Sequence, residues 1–245
     1  MVCGDAAALT GSMRIFVAPE LLEAGELTVL RDNHHYLSRV RRARTGDAVQ
    51  LIDGAGRCAD AVIVRIGEHE TVLSVSTPHD VPARPPFIRA LIPLIKGDRM
   101  DSCIEKLVEV GVDAIVLWPA ARSIVRLDAE RRGARLAKFQ LAVQAAARQC
   151  GRAQLPTVGW ADDLAAAIRA APAGLHLVLD PTSDDELTGP IADDVTIVSG
   201  PEGGLAPEEL DQLRPFRAIG LGPRVLRAET APVVAVAVIR AMTRS

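Results

Sequence analysis

A cluster of prolines divides this sequence more sharply than any other feature. Four prolines fall within the ten residues 77–86, and proline disrupts both a helix interior and a central strand. A chain of 245 residues is long enough for two domains, each with its own hydrophobic core. We therefore predict a small domain over residues 1–80 and a larger domain over residues 81–245.

The residues on either side of this cluster follow different patterns. Short β-rich runs separated by glycines precede it, which predicts a small β-barrel or sheet. Apolar runs that alternate with helical patterns follow it, which predicts an α/β domain with a mainly parallel sheet. The predicted strands are residues 14–17, 48–52, 59–66, 71–75, 88–95, 114–118, 175–179, 195–199 and 218–221, and the predicted helices are residues 34–40, 98–110, 128–150, 162–171 and 230–242.

Composition excludes several classes of protein. The longest apolar run, residues 231–239, is far shorter than the roughly 20 residues of a membrane-spanning helix, and residues 1–13 lack the basic start of a secretory signal. The four cysteines form no C-x-x-C pair, so we expect neither a zinc site nor a disulfide framework. Aromatic residues make up 3% of the chain, which argues against stacking of several RNA bases on exposed rings. We expect a cytoplasmic enzyme or binding protein that uses no membrane and no metal.

Charge is segregated along the chain, although the net charge is only −3. Residues 31–44, which we call the basic segment, contain five arginines, two histidines and one acid, whereas residues 180–211 contain ten acids and no lysine or arginine. A local arginine cluster can bind the phosphates of a polyanion whatever the total charge. A solvated basic helix face would have the same composition.

Ligands of parallel α/β sheets bind beside the carboxyl ends of the strands, which directs attention to the loops after the last three strands. One of these loops, residues 199–204, reads S-G-P-E-G-G, and we call it the glycine-rich loop. Its glycines predict a tight turn that can approach a ligand closely and expose backbone amides. It lacks the lysine and hydroxyl of a P-loop and does not fit G-x-G-x-x-G. An ordinary glycine-rich turn is the alternative.

The other informative loop precedes the last helix. Residues 221–232 read L-G-P-R-V-L-R-A-E-T-A-P, where Thr230 is a candidate N-cap and Pro232 lies in the first helical turn. Arg227 and Glu229 are thereby placed beside a helix start at the sheet edge, where two arginines favour an anionic ligand. Structural salt bridges to the acidic stretch are the alternative. Shorter polar patterns at residues 96–99, 122–126 and 149–152 are expected near the same edge or at a helix end.

Taken in order, these blocks resemble a known family. Residues 96–98, 109–112, 122–123, 149–152, 199–204 and 221–231, with residues 33–42 and 46–47 ahead of them, resemble the bacterial 16S ribosomal RNA (uracil-N3)-methyltransferases of the SPOUT, or α/β-knot, superfamily. The resemblance spans nearly the whole chain, and its G-P-E-G-G and L-G-x-R-x-L-R-x-E-T-A blocks are specific. Two positions depart from the family pattern: Arg148 stands where the family often has Glu, and Val110 replaces Leu in its E-L-G block.

The resemblance implies a fold, a cofactor and a partner. It implies a C-terminal domain with a deep trefoil knot, which is a rare exception to general connection rules, after a PUA-like β-barrel domain. It also implies homodimers whose active sites are completed across the interface, and methylation of N3 of a uridine in the decoding region of the small ribosomal subunit. The implied S-adenosylmethionine pocket comprises Leu179, Ser199, Gly200, Pro201, Glu202, Gly203, Leu221, Gly222, Val225 and Leu226.

The implied reaction is an in-line methyl transfer that requires loss of the N3 proton. A guanidinium can stabilise the negative charge that develops on the uracil; the candidates are Arg227 and Arg152, and Glu229 is expected to orient that arginine or accept the proton. For RNA contacts we expect His34, Arg39, Arg41, Arg42 and Arg122. Two alternatives stay open at this point: a non-catalytic RNA-binding protein, and a nucleotide-dependent α/β enzyme with a phosphate loop at residues 200–204.

Overall fold

The chain forms two compact units. The structure is a computed structural model that describes residues 13–123 and 128–243. The first unit comprises the chain up to Ala83 together with Ala147–Leu155, and the second comprises Arg84–Ala146 and the chain from Pro156 onward. The prolines predict a division at residue 80. This prediction did not assign residues 147–155 to the first unit, because helical periodicity does not reveal which core the end of a helix joins.

The first unit is built on a six-stranded sheet. Its strand order is β1-β3-β4-β5-β2, with β6 paired to β4; β1 and β3 are parallel, and the other pairs are antiparallel. Along β4 the buried Ala59, Ala61 and Ile63 alternate with outward residues, as expected for a strand that covers a core on one face. The strands are β1 (Met13–Phe16), β2 (Gly25–Leu30), β3 (Ala48–Ile52), β4 (Arg57–Ile66), β5 (Glu70–Val75) and β6 (His79–Asp80).

A helical segment links β2 to β3. Helix α1 (Arg31–His35) continues into a π-helical turn, Tyr36–Val40, whose Leu37 is fully buried in the core of this unit. The sequence predicted this helix but not its start at Arg31. It also missed β2, because this edge strand is mostly exposed and carries little apolar alternation.

The second unit contains six parallel strands in the order β12-β10-β11-β7-β8-β9, which confirms the predicted mainly parallel sheet. Its strands are β7 (Ile88–Pro93), β8 (Ala114–Trp118), β9 (Thr157–Trp160), β10 (Leu175–Leu179), β11 (Val195–Val198) and β12 (Arg217–Ile219). The sequence missed β9, because T-V-G-W is short, contains glycine and lies at the sheet edge.

Helices cover this sheet: α2 (Asp98–Val110), α3 (Ala129–Cys150), α4 (Leu164–Arg169), α5 (Pro207–Gln212) and α6 (Ala231–Met242). Helix α2 buries residues at helical spacing, from Met100 to Val108. It ends at Gly111 with φ 103°, where the glycine amide donates to the Leu107 carbonyl, which confirms the predicted glycine C-cap. Helix α6 packs against α2, and its buried Arg240 donates to the Gly111 carbonyl and pairs with Asp113.

Within residues 13–123 and 128–243, no helix is both long and apolar enough to cross a membrane.

Candidate active site

A cavity of about 870 Å³ opens at the carboxyl edge of the parallel sheet. Strands β10, β11 and β12 end at this edge, and the loops that follow them form much of the cavity wall. Its volume falls within the ~300–1,000 Å³ that is usual for small-molecule sites. The cavity therefore lies at the edge of the sheet where the sequence predicts a ligand site.

The cofactor residues implied by the family resemblance gather around this cavity. All of them except Gly203 line it, and Gly203 lies in the same loop beside the lining residue Gly204. The lining set is Leu179, Ser199, Gly200, Pro201, Glu202, Leu221, Gly222, Val225 and Leu226. Their proximity is a finding, whereas their role in binding stays a prediction.

One part of the cavity wall is apolar. Val178, Leu213 and Phe216 line the cavity and belong to one hydrophobic cluster, with the partly buried Leu205 packed against it. Such a wall can contact the faces of a flat heteroaromatic ring, while a few polar groups orient the rest of the ligand.

Ser199 is one such polar group. It lies directly after β11, is only 1% exposed, and its amide donates to the Leu91 carbonyl. Ser199 lines the cavity, and its buried side-chain hydroxyl has no hydrogen-bond partner among the described residues. A buried hydroxyl normally has a partner, so a ligand in this cavity is a suitable acceptor or donor for it.

The glycine-rich loop is a tight turn, as predicted. Gly204 has φ +72° and its amide donates to the Pro201 carbonyl at 2.9 Å. A Cβ on Gly203 would lie 3.2 Å from Cβ of Arg122, so a side chain at this position would require Arg122 to shift by a few tenths of an ångström. Arg122 Nη1 in turn donates to the Gly203 carbonyl at 3.2 Å. Arg122, which we predicted to contact RNA, is thus an exposed residue packed on this loop.

A buried carboxylate that the sequence analysis did not single out supports the same region. Glu209 of α5 accepts hydrogen bonds from the amides of Ala121 and Ala206, both at 2.7 Å. It thereby ties the segment that carries Arg122 to the start of α5. Only its position in the first turn of a helix, where acids are favoured, was a signal in the sequence.

The loop before α6, residues 220–230, we call the arginine loop. Thr230 occupies the residue before α6 but has helical dihedrals, and its hydroxyl makes no capping bond; its amide donates to the Arg227 carbonyl instead. Thr230 thus holds the predicted position before the helix, but its side chain does not cap it. The hydrogen bond from the Thr230 amide to the Arg227 carbonyl closes a turn there. Pro232 does lie in the first turn, as predicted.

Four charged side chains form an alternating chain beside the cavity. Arg227 Nη1 lies 3.9 Å from Glu229 Oε1, and Glu229 Oε2 lies 3.8 Å from Arg99 Nη1. The other terminal nitrogen of Arg99 lies 3.3 Å from Glu202 Oε1. Glu229 is only 15% exposed, whereas Arg227 is 78% exposed. The arrangement shields the acid and leaves one guanidinium accessible at the cavity.

Cys103 lies one turn after Arg99 on α2. Burial, with a smaller contribution from the carboxylate of Glu229, raises the pKa of its thiol to about 12. The thiol is therefore protonated at neutral pH and unsuited to act as a nucleophile.

The loop after β10 is held against β12 beside the cavity. Arg217 binds the Asp185 carboxylate through two hydrogen bonds of 2.7 and 2.8 Å, which lowers the pKa of that carboxyl. A Cβ on Gly220 would lie 2.3 Å from the Ser183 carbonyl oxygen, so the loop approaches closer than any other residue at 220 would allow. Part of the acidic stretch is thus neutralised by structural pairing.

With this geometry established, comparisons with known proteins decide the family. The sequence pattern described as "RNA methyltransferase domain" matches residues 83–240. The chain belongs to the RNA methyltransferase family. A second pattern, "RNA methyltransferase PUA domain", matches residues 31–75, which lie in the first unit.

Individual relatives of this methyltransferase match it over nearly its full length. A protein of Mycobacterium bovis named Ribosomal RNA small subunit methyltransferase E is 31% identical over 240 residues, which cover 94% of this chain and 92% of the relative. A crystal structure of a protein of that name from Neisseria gonorrhoeae, bound to S-adenosyl methionine, is similar with a TM-score of 0.81 at 29% identity, covering 94% and 97% of the two chains. The structure of a methyltransferase from Legionella pneumophila, in complex with the bound cofactor SAM, is similar with a TM-score of 0.82 at 28% identity and with the same coverage.

The basic segment of the methyltransferase lies in its first unit and exposes its arginines. Arg39, Arg41 and Arg42 are exposed, and Arg42 has a left-handed backbone with φ 52°, which is uncommon for a residue with a side chain. His34 differs from them. It is buried, and its ring nitrogens lie 2.9 Å from Thr71 Oγ1 and 3.1 Å from the Glu68 carbonyl. We therefore remove His34 from the expected RNA contacts, because both nitrogens are used within the fold.

The departure at Arg148 has a structural explanation. Its guanidinium carbon lies 5.4 Å from the ring centre of Tyr36 and 5.9 Å from that of Phe16, within the range of cation–π contacts. These contacts join the end of α3 to α1's continuation and to β1 within the first unit, to which residues 147–155 belong. Arg152, one of the two candidate catalytic arginines, follows in the same unit, whereas Arg227 belongs to the second unit and lines the cavity.

Among the residues that the structure describes in this methyltransferase, no group of three or more His, Cys, Asp or Glu side chains could hold a metal ion. Among the same residues no lysine lines the cavity, although several arginines do, so the nucleotide-dependent alternative lacks the lysine of a P-loop.

Proposed function

We propose that this protein transfers a methyl group from S-adenosylmethionine to N3 of a uridine in the decoding region of 16S ribosomal RNA. The observation that carries the proposal is the cavity whose walls are the glycine-rich loop and the arginine loop, in a chain of the RNA methyltransferase family. The names of its relatives, which act on small-subunit ribosomal RNA, and the cofactor held by two of its structural neighbours support the substrate and the cofactor.

The residues of the cavity fit this cofactor. The apolar wall with Val178, Leu213 and Phe216 suits an adenine ring, and the free hydroxyl of Ser199 suits a polar group of the ligand. When bound, S-adenosylmethionine supplies the activated methyl group. The proposal uses no metal ion.

The charged chain suits the other half of the reaction. Uracil that has lost its N3 proton carries negative charge on its oxygens, and the exposed guanidinium of Arg227 can donate hydrogen bonds to them. Glu229, 3.9 Å away, orients that guanidinium or accepts the N3 proton. Arg152 is the alternative donor.

RNA binding is proposed for Arg39, Arg41 and Arg42 in the first unit and for Arg122 beside the glycine-rich loop. All four are exposed, and exposed arginines bind phosphates largely through charge. The proposal further includes a closed PUA-like barrel, a trefoil knot, a homodimer with shared active sites and a cytoplasmic location, where small subunits are modified. These features rest on the family resemblance.

The test is transfer of labelled methyl from S-adenosylmethionine to small ribosomal subunits that lack the modification, followed by identification of the labelled nucleoside. We expect label in N3-methyluridine. Label in another nucleoside would overturn the proposed target atom. An absence of label together with measurable cofactor binding would overturn the substrate and leave the cofactor.

A further inference from the structure

Arg99 links three segments of the second unit. It is the second residue of α2, and its two terminal nitrogens lie within 4 Å of Glu202 in the glycine-rich loop and of Glu229 in the arginine loop. It also lines the cavity. Each of the two acids belongs to a different loop, so one side chain connects α2 to both walls of the site.

We propose that Arg99 is a positioning residue that holds Arg227 available for the substrate by sharing the charge of Glu229. This inference rests on the proposed function, since Arg227 is there the group that faces the uracil. Arg99 acts through Glu229 and needs no contact with the reacting atoms.

The charge balance supports this role. A carboxylate that is 15% exposed needs cations beside it, and Arg99 and Arg227 are the two that pair with Glu229 among the described residues. The neighbouring Cys103 thiol is protonated and neutral. If Arg99 is removed, Arg227 alone must neutralise Glu229, and its guanidinium is drawn away from the substrate.

The geometry also argues against a role in overall stability. In the Arg99–Glu202 pair the two side chains are 43% and 35% exposed, and a partly exposed pair of this kind contributes little to the free energy of unfolding. Glu229, which is only 15% exposed, keeps Arg227 as a paired cation when Arg99 is removed. The segments that Arg99 joins are loops between helices and strands. Arg99 can therefore determine the positions of these loops, but not the packing of the core.

The experiment compares Arg99→Ala and Arg99→Lys with Arg131→Ala, which removes another exposed, ion-paired arginine from α3. Single-turnover methyl transfer at saturating cofactor and subunits should fall at least ~10-fold in R99A, since misplacement of a catalytic group by about 1 Å can cost up to 10²-fold. R99K should recover part of the rate, because it keeps the charge without the planar fork. R131A should match the wild type.

A second measurement does not need activity. Hydrogen exchange of the protein without cofactor should accelerate in peptides covering both loops in R99A, with an unchanged melting temperature, and should not accelerate in R131A. If the wild type transfers no methyl, the proposed function fails while this measurement still tests the link.

Three results would overturn the inference. One is an unchanged single-turnover rate in R99A. Another is a loss confined to KM for the subunits with altered salt dependence, which would mean that Arg99 contacts RNA phosphates directly. The third is full additivity of R99A and E229Q in the rate and in loop exchange, since Arg99 is proposed to act through Glu229 and residues that act together should be non-additive.

Discussion

The two units use their arginines in different ways. In the second unit, Arg99, Arg214, Arg217 and Arg227 all form ion pairs with acids within 4 Å. In the basic segment of the first unit, Arg39, Arg42 and Arg44 form none with the described residues, although all three are exposed. A paired arginine has a defined position, whereas an exposed one without an acid is available to a polyanion. Under the proposed function, we therefore expect the chemistry at the cavity of the second unit and salt-sensitive RNA contact at the basic segment of the first.

The largest expected effect comes from Arg227→Ala. Removing a donor that stabilises developing negative charge typically lowers kcat by ~10²–10³-fold. We expect a loss of this size in single-turnover methyl transfer, with cofactor affinity and melting temperature close to those of the wild type, because Arg227 is 78% exposed. Arg131→Ala, which removes an exposed arginine of α3 that does not line the cavity, is the control. Full methylation by R227A would remove Arg227 from the mechanism and favour Arg152.

A smaller effect is expected from the double substitution Arg41→Ala and Arg42→Ala. Each lost phosphate contact should reduce the slope of log affinity against log salt by roughly 0.7–0.9, and so by about 1.5 for two contacts. Filter binding to small subunits over a range of salt measures this slope. Arg65→Ala, an exposed arginine of the same unit that pairs with Glu70, should leave it unchanged. An unaltered slope in the double variant would mean that the basic segment is only a solvated face.

The smallest expected effect concerns Cys103 beneath the charged chain. Its pKa is raised from the ordinary 9.0 to about 12, so above pH 9 the unfolded chain loses this proton while the folded protein keeps it. The resulting stabilisation is full below pH 9 and is lost as the pH rises toward 12. The stability advantage of the wild type over Cys103→Ala should therefore shrink by roughly 1 kcal/mol between pH 8 and pH 10.

Urea unfolding of both proteins at the two pH values checks this expectation, and the titration of all other groups cancels in the difference. A constant difference would show that Cys103 is not held neutral beneath Glu229.

Much of the second unit was predictable from the sequence. Apolar runs alternating with helical patterns indicated the parallel sheet, and the rule for strand ends indicated where the cavity lies. Gly111 marked the end of α2, and the glycines of residues 199–204 marked a tight turn. These are local properties: the periodicity of side chains and the backbone freedom of glycine act within a few residues.

Other features were decided by the tertiary structure alone. In the sequence, His34 lies among the arginines of the basic segment. In the fold it is buried, and its ring nitrogens contact Thr71 and the Glu68 carbonyl. In the sequence, Arg99 is part of a weak polar pattern, and only the fold places Glu202 and Glu229 beside it. Residues 147–155 belong to the first unit, although the helical periodicity continues into them from the second unit.

The sequence by itself determined five of the six strands of the parallel sheet, the edge at which the site lies and the loops that surround it. The partners of each charged side chain were decided only by the tertiary structure. The physical reason is that burial and ion pairing depend on groups that are distant in the chain. An arginine therefore has a different role when a carboxylate, an aromatic ring or water lies beside it.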